Sequence, residues 1–371
     1  MIKPKHLKKK IQGDYRMIVV SDIHGHLDRF QSLLEKVHYT SDDYLVILGD
    51  FVEKGDQVID TIHYIQNLDR NDRVFVLAGN CEWALSAMLE VPEMAAQIPM
   101  YFQRISANGS IRDVYHLLHL DDGHETTLGV QKKIAEYLKD ELKYISHLPV
   151  TLKMNQFLFV HAGVEYREDY QNTNLKTLLS MQHFYDQGHP LEEIVIVGHI
   201  PTANYYLHHI DNRIIIDLDK KIISIDGGTG VKPVSQLNAL IIQCQDNEIT
   251  YETDYVQPLP TAIMNKNIAN KNQKTHKIAF PSFQVDIIEK GEQFSLCQQV
   301  DTNEIFPIKN EFLYERNHQT YCLDDYTDYM LSGKKGDIMK VIGIYDEYVY
   351  AICNEKVGWI KLKNVSMKSP I

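Results

Sequence analysis

The sequence predicts an α/β domain, a sheet sandwich flanked by helices, followed by a small all-β module, and three observations carry that reading. Apolar runs at Met17 to Val20, Tyr44 to Leu48, Val74 to Ala78, Phe157 to Val160 and Ile194 to Val197 have the continuous character of strands buried on both faces. Between Cys81 and Pro149 the apolar residues fall at helical spacing, with Trp83, Leu85, Met88 and Leu89 in one stretch and Ile134, Tyr137, Leu138 and Leu142 in another. Beyond Phe283 short alternating runs return between tight turns, the pattern of a small β barrel.

Taken in order, residues 1–16 are a basic extension in which Lys3, Lys5, Lys8, Lys9 and Lys10 cluster without an apolar core, so they read as a solvated, mobile terminus and not as a signal peptide. The main domain is expected over 17–258, with a helical insertion at about 83–149 that covers the carboxyl edge of the sheet and in which Tyr101 and Phe102 are candidate wall residues. Residues 259–282 are rich in Asn and Lys with little apolar periodicity and read as a linker. The β module is expected over 283–371, where Gln284 to Ile288, Gln293 to Gln299, Ile338 to Ile344, Tyr348 to Cys353 and Trp359 to Leu362 alternate as strands do. No internal repeat is visible in the sequence.

Composition bounds the function classes. The 371 residues contain no apolar run of membrane-spanning length, and a net charge of -12 argues against a broad nucleic-acid surface. Five cysteines, odd in number and without short-spaced pairs, exclude a zinc-finger scaffold and suit a reducing cytoplasm, the expected location.

Each of the five apolar runs is followed directly by a short polar segment: Asp22-Ile23-His24-Gly25, Gly49-Asp50 with Gly55, Gly79-Asn80-Cys81-Glu82, His161-Ala162-Gly163 and Gly198-His199. In open α/β sheets the carboxyl edge is where ligands bind, so the placement argues for one site built from five loops. Asp22 and His24, two residues apart, can reach one cation together. Asp50 has two oxygens and can bridge two cations, while Asn80, His161 and His199 offer an amide oxygen and imidazole nitrogens to the second. Mixed oxygen and nitrogen donors suit Mn best, with Fe or Zn as alternatives. Two cations ~3.5–4 Å apart are a known device for phosphoryl displacement. A lone histidine after a strand is more often core than ligand; the ordered set is what carries the inference.

These residues resemble the calcineurin-like metallophosphoesterases, whose motifs D-x-H, G-D-x-x-D-R-G, G-N-H-E, V-H-A-G and G-H read here as Asp22-Ile23-His24, Gly49-Asp50-Phe51-Val52-Glu53-Lys54-Gly55, Gly79-Asn80-Cys81-Glu82, Val160-His161-Ala162-Gly163 and Gly198-His199. The resemblance covers the first two thirds of the chain. Gly198-His199-Ile200-Pro201-Thr202 and Ile225-Asp226-Gly227-Gly228 place it nearest the bacterial serine/threonine protein phosphatase and diadenosine tetraphosphatase branch. It implies a two-metal hydrolase acting through a water shared by the cations, with a phosphorylated protein or a nucleotide as substrate.

The departures from the pattern bear on catalysis. Cys81 stands where the family has the histidine that protonates the leaving group, Glu53 where it has that histidine's aspartate, and Lys54 where it has a phosphate-gripping arginine. The resemblance therefore assigns Cys81 and Glu53 to the catalytic positions and Lys54 to substrate phosphate, with altered chemistry. The leading expectation is a phosphatase of the serine/threonine protein phosphatase type. The second is a nucleotide polyphosphatase or phosphodiesterase, favoured by the missing acid. The third is a binding protein with a slow metal site that recognises a protein partner through its β module, whose run from Gly336 to Ile360 weakly resembles SH3-like domains.

Overall fold

The computed structural model describes residues 2–104, 109–120, 125–270 and 274–368. By backbone contacts the chain forms two compact units, one made of 1–201, 213–231 and 236–256 and the other of 202–212, 232–235 and 257–371.

The first unit is a mixed α/β fold built on two sheets. One has the order Glu248–Val256, Leu237–Gln245, Tyr15–Val20, Tyr44–Ile47, Val74–Val76, and its last three strands run parallel. The other has the order His6–Lys9, Thr151–Met154, Phe157–Val160, Ile194–Val197, Ile222–Ser224, Ile215–Asp217, with a parallel trio at Phe157–Val160, Ile194–Val197 and Ile222–Ser224. Alternate side chains of each strand serve opposite faces. Met17, Val19 and Val46 meet Phe157, Phe159 and Ile196 in one core between the sheets. Ile18, Val20 and Leu45 face helices that include Leu27–Lys36 and Val58–Leu68 in a second core. This double burial explains why the five strands are apolar throughout rather than alternating.

Helices Asn80–Glu90, Ile98–Arg104, Ser110–Leu117, Thr127–Tyr137 and Lys139–Ser146 occupy the stretch expected to be helical. The basic terminus is not a mobile arm: His6–Lys9 adds a parallel edge strand to Thr151–Met154, with Leu7 packed against the inter-sheet core and Lys8 and Lys9 turned to solvent. An edge strand with one anchoring leucine and charged neighbours is too short and polar for its periodicity to show.

The second unit departs from the expected linker plus single barrel. Within 259–282, Thr261–Met264 pairs with both Ile338–Tyr345 and Val365–Met367, and Lys277–Ile278 pairs with Tyr326–Thr327. The segment's strands are only two to four residues long, below what a pattern can reveal. Two five-stranded antiparallel sheets follow one plan. In the first, Gln284–Glu289, Phe294–Gln299, Ile305–Lys309, a 3-10 turn at Asn310–Phe312 and Leu313–Arg316 succeed one another; in the second, Ile338–Tyr345, Tyr348–Cys353, Lys356–Lys361, a turn at Leu362–Asn364 and Val365–Met367 do so. The first strand of each carries a register shift, at Ile287/Glu289 and at Val341/Gly343, and each third strand ends in Ile-Lys before its turn. This repeated plan escaped the sequence because spacing and bulges recur while most side chains differ.

Trp359, fully buried, organises the unit's core, stacked on Tyr350 at 4.6 Å between ring centroids and donating from Nε1 to the Thr327 carbonyl at 2.8 Å. Lys232 and Asp325 form an ion pair at 2.6 Å with side chains 5% and 1% exposed. Removing one partner of such a pair strands a charge without water. Asp325→Ala is expected to cost about 3–5 kcal/mol, and Lys232→Met with Asp325→Leu much less; guanidinium unfolding of both variants checks this.

Candidate metal centre

The six expected ligands come together at the carboxyl ends of the parallel strands, in the first unit. The loops there are bent tightly: Asp22, His24, Asp50 and His199 all adopt left-handed backbone, at φ 55, 49, 51 and 67°. Non-glycine residues in that region cost of order 1–3 kcal/mol each and persist where surrounding structure enforces them. The loops also approach too closely for side chains at two points. A Cβ on Gly49 would lie 2.3 Å from the Gly79 nitrogen, and one on Gly198 would lie 2.0 Å from Ser21 Oγ.

Asp50 sits at the centre. Its Oδ2 lies 3.7 Å from His24 Nε2 and its Oδ1 3.4 Å from His161 Nε2, so the two oxygens face opposite halves of the site. His24 Nε2 is also 3.7 Å from Asp22 Oδ1. Asp22 is fixed from behind, its Oδ2 accepting from Ser21 Oγ at 2.5 Å and the His199 amide at 3.1 Å. On the other side Asn80 Oδ1 lies 3.1 Å from His161 Nε2 and 2.7 Å from His199 Nδ1.

The ring tautomers suit metal binding. His161 Nδ1 donates to the Leu48 carbonyl at 2.9 Å and His24 Nδ1 to the Val52 carbonyl at 3.2 Å, which leaves each Nε2 as a lone pair directed into the site. The same Asn80 amide atom faces His161 Nε2 and His199 Nδ1; as nitrogen it donates to both rings, and with the amide turned about it presents its oxygen beside the two ring nitrogens, a donor set a cation could take. Burial, with Lys54 next, lowers His24 to about 3, and burial, with His161 next, lowers His199 to about 4, so both imidazoles are neutral ligands at physiological pH. Burial and the adjacent Asp50 push Asp22 up to about 7. For Asp50, burial works upward, but His161, His24 and Lys54 outweigh it and hold the carboxyl well below its usual range. Crowded carboxylates, neutral imidazoles and an amide oxygen fit divalent cations.

The remaining predicted residues divide. Lys54 lies at the site, with Nζ 2.9 Å from His24 Nε2. Burial works to lower its pKa, but Cys81, Asp50, Asp22 and Asp226 raise it overall, and it stays an ammonium. Cys81 is buried; its amide donates to Asp50 Oδ1 at 2.8 Å and its thiol to Asp50 Oδ2 at 3.1 Å. Burial and Asp50 raise that thiol well above its ordinary value. Glu53 does not act as a partner for position 81. Both its oxygens are taken by the helical layer, one by Tyr101 Oη and the other by Ser110 Oγ and the Ser110 amide, the last at 3.2 Å. The longer glutamate side chain reaches that layer. Of the candidate wall residues, Tyr101 is therefore at the site, while Phe102 packs on Tyr115.

One residue that sequence reasoning left without a role is Glu82. Wholly buried, it accepts from the amides of Gly79, Asp50, Phe51 and Val52 at 2.7 to 3.1 Å, tying the Asp50 loop to the Asn80 loop. Its signal was present in the spacing: a Glu three residues after the helix N-cap reaches back to the N-cap amide, the half of a capping box that a glycine N-cap permits.

With this geometry in hand, the comparisons with known proteins are unambiguous at one level. The sequence profile described as "Calcineurin-like phosphoesterase" matches residues 15–226, more than half of the chain, and the chain belongs to that family. Among curated proteins it is similar to a symmetrical bis(5'-nucleosyl)-tetraphosphatase of Vibrio parahaemolyticus serotype O3:K6, 26% identical over 147 residues covering 39% of this chain and 44% of the relative. A protein of the same name from Buchnera aphidicola subsp. Acyrthosiphon pisum is 39% identical over 70 residues, 19% of this chain and 25% of the relative. The chain thus spans less than half the length of these curated relatives. Among solved structures, a protein serine/threonine phosphatase from Saccharomyces cerevisiae aligns at 12% identity and TM-score 0.43, covering 69% of this chain and 85% of that one. A metallophosphoesterase from Sphaerobacter thermophilus aligns at 17% identity and TM-score 0.35, covering 64% and 88%.

Two outcomes are expected. Glu82→Gln places an NH2 among amide donors and should weaken cation binding about 10–100-fold, read by calorimetric titration of the metal-free protein with Mn. Because Asp22 titrates near 7, cation affinity should fall by up to about tenfold per unit below that pH as a proton competes, while His24 and His199 add no competition until about pH 4. Titrations in buffers of different ionisation enthalpy count the released proton, which Asp22→Asn should abolish.

Proposed function

We propose that this protein is a two-cation phosphoesterase whose substrates have leaving groups that depart without a proton donor, such as nucleotide polyphosphates, phosphodiesters and aryl esters. The observation that carries this is the pairing of a complete ligand set with Cys81, whose thiol is committed to Asp50 instead of to a leaving group. General acid catalysis contributes about 10²–10⁴-fold, and an alkoxide from phosphoserine needs it most. The serine/threonine protein phosphatase reading is therefore the weaker one. The name shared by the curated relatives, which denotes cleavage at a polyphosphate, agrees with the stronger.

In this reading Asp22 and His24 hold one cation, Asn80, His161 and His199 hold the other, and Asp50 lies between them with one oxygen toward each. Bound cations supply the charge that activates a water and offsets charge developing on the phosphoryl group. Glu82 keeps the Asp50 carboxylate square to both sides through its loop amides. Lys54, whose Nζ lies 2.9 Å from His24 Nε2, would meet substrate phosphate as a point charge without arginine's planar fork. All five thiols are free, as a cytoplasmic protein allows.

In a hydrolysis panel with Mn, diadenosine tetraphosphate and aryl phosphates should turn over at least about 10²-fold faster than phosphoserine peptides. Cys81→His should narrow that gap by raising the phosphopeptide rate alone. Asp50→Asn should lose activity and metal together in elemental analysis; two retained cations would show that Asp50 is not the bridge.

A further inference from the structure

Beside the metal centre, within the first unit, lies a cavity of about 390 Å³, in the range of small-molecule sites. Its chemistry is one-sided. Lys54, Cys81 and Glu53 close the end that abuts the predicted ligands, Tyr101 lines the wall with its hydroxyl donated to Glu53, and the rest of the wall includes Ala84, Leu85, Met88, Ile111 and Val231. Three of these come from one helix, Asn80–Glu90, where Ala84 and Met88 are one turn apart on the face that opens onto the cavity. Val231 follows Gly230, whose tight approach brings the loop against the ligand His24: a Cβ on Gly230 would stand 3.2 Å from His24 Cβ. The loop and the helix therefore both line a slot beside His24 and Lys54.

We propose that this slot receives a planar, uncharged ring of the substrate, an aryl group or a nucleobase, attached to the phosphoryl group held at the cations. The proposal rests on the phosphoesterase reading and narrows it. A phosphopeptide is a poor occupant, because its backbone N–H and C=O groups would leave water for a wall that is apolar apart from Tyr101, whose hydroxyl already donates to Glu53, and each unpaired polar group is costly. A cationic group is no better served. The one carboxylate at the slot, Glu53, already accepts from Tyr101 and from both the amide and hydroxyl of Ser110. A flat ring presents apolar faces to the walls, keeps any polar atoms on its edge where they can stay toward the open mouth, and gains contact on both faces.

Matched probes on the Mn-loaded, full-length enzyme test this, since neither member of each pair differs except in the ring: phenylphosphonate against methylphosphonate for an aryl source, and adenosine 5'-monophosphate against ribose 5-phosphate for a nucleobase. Calorimetric affinities of the wild type should differ at least about tenfold within one pair or both, the gain from burying a ring. Ala84 and Val231 are both exposed at the slot's mouth, so Ala84→Trp and Val231→Trp can each fill it without overpacking the core. Both should reduce the ratio to within about twofold. Equal affinities within both pairs in the wild type would overturn the proposal, and so would a preference for the ring that persists in both variants, which would place the ring elsewhere. Hydrolysis of p-nitrophenyl phosphate by the same preparation keeps the two questions apart. Its absence would overturn the phosphoesterase reading, whereas hydrolysis with no ring preference would overturn only this one.

Discussion

The architecture of the site depends on the Asp50 carboxylate being held with one oxygen toward His24 and the other toward His161. That pose is not a free choice of rotamer. The Cys81 amide and thiol fix the side chain, and the left-handed backbone of Asp50 is fixed by Glu82, which gathers the amides of the two loops that meet there. A buried carboxylate satisfied by four amide donors is among the stiffer elements available to a loop. The strain of the left-handed residues at Asp22, His24, Asp50 and His199 is absorbed by it and by the Ser21 and His199 bonds to Asp22.

The electrostatics follow from the same crowding. Asp22 and Asp50 share a dry space in which both cannot be charged at ordinary cost, and they separate, one upward and one downward. Buried imidazoles go neutral beside them. In the proposed reading a cation would relieve that crowding and displace a proton as it binds. Cys81 sits within that frame, its thiol bonded to the central carboxylate; under the proposed function it would offer no imidazole to a leaving group.

Much of this was legible in the sequence. Asp22, His24, Asp50, Asn80, His161 and His199 could be found because each follows an apolar run, and a strand buried on both faces announces itself by continuous hydrophobicity; the loop at its end is then fixed in space by the sheet. The helical layer between Cys81 and Pro149 was visible for the same reason, through its period. The edge strand at His6–Lys9, the pairing of Thr261–Met264 and the repeated plan of the two β sheets were not, because short strands carry too few alternations and their identity lies in partners distant in the chain.

By itself, then, the sequence determined the strand-and-loop order and which polar residues gather at the strand ends, both of which are properties of residue type and local spacing. Only the tertiary structure decided what Glu53, Glu82 and Cys81 do. Each has a polar group that must find a partner once buried, and which partner it finds depends on which loops the sheets bring within about 3 Å. Glu53, one methylene longer than the expected aspartate, is claimed by Tyr101 and Ser110; Glu82 is claimed by four amides; Cys81 is claimed by Asp50. Those choices are made by packing, and packing is not written in any one segment of the chain.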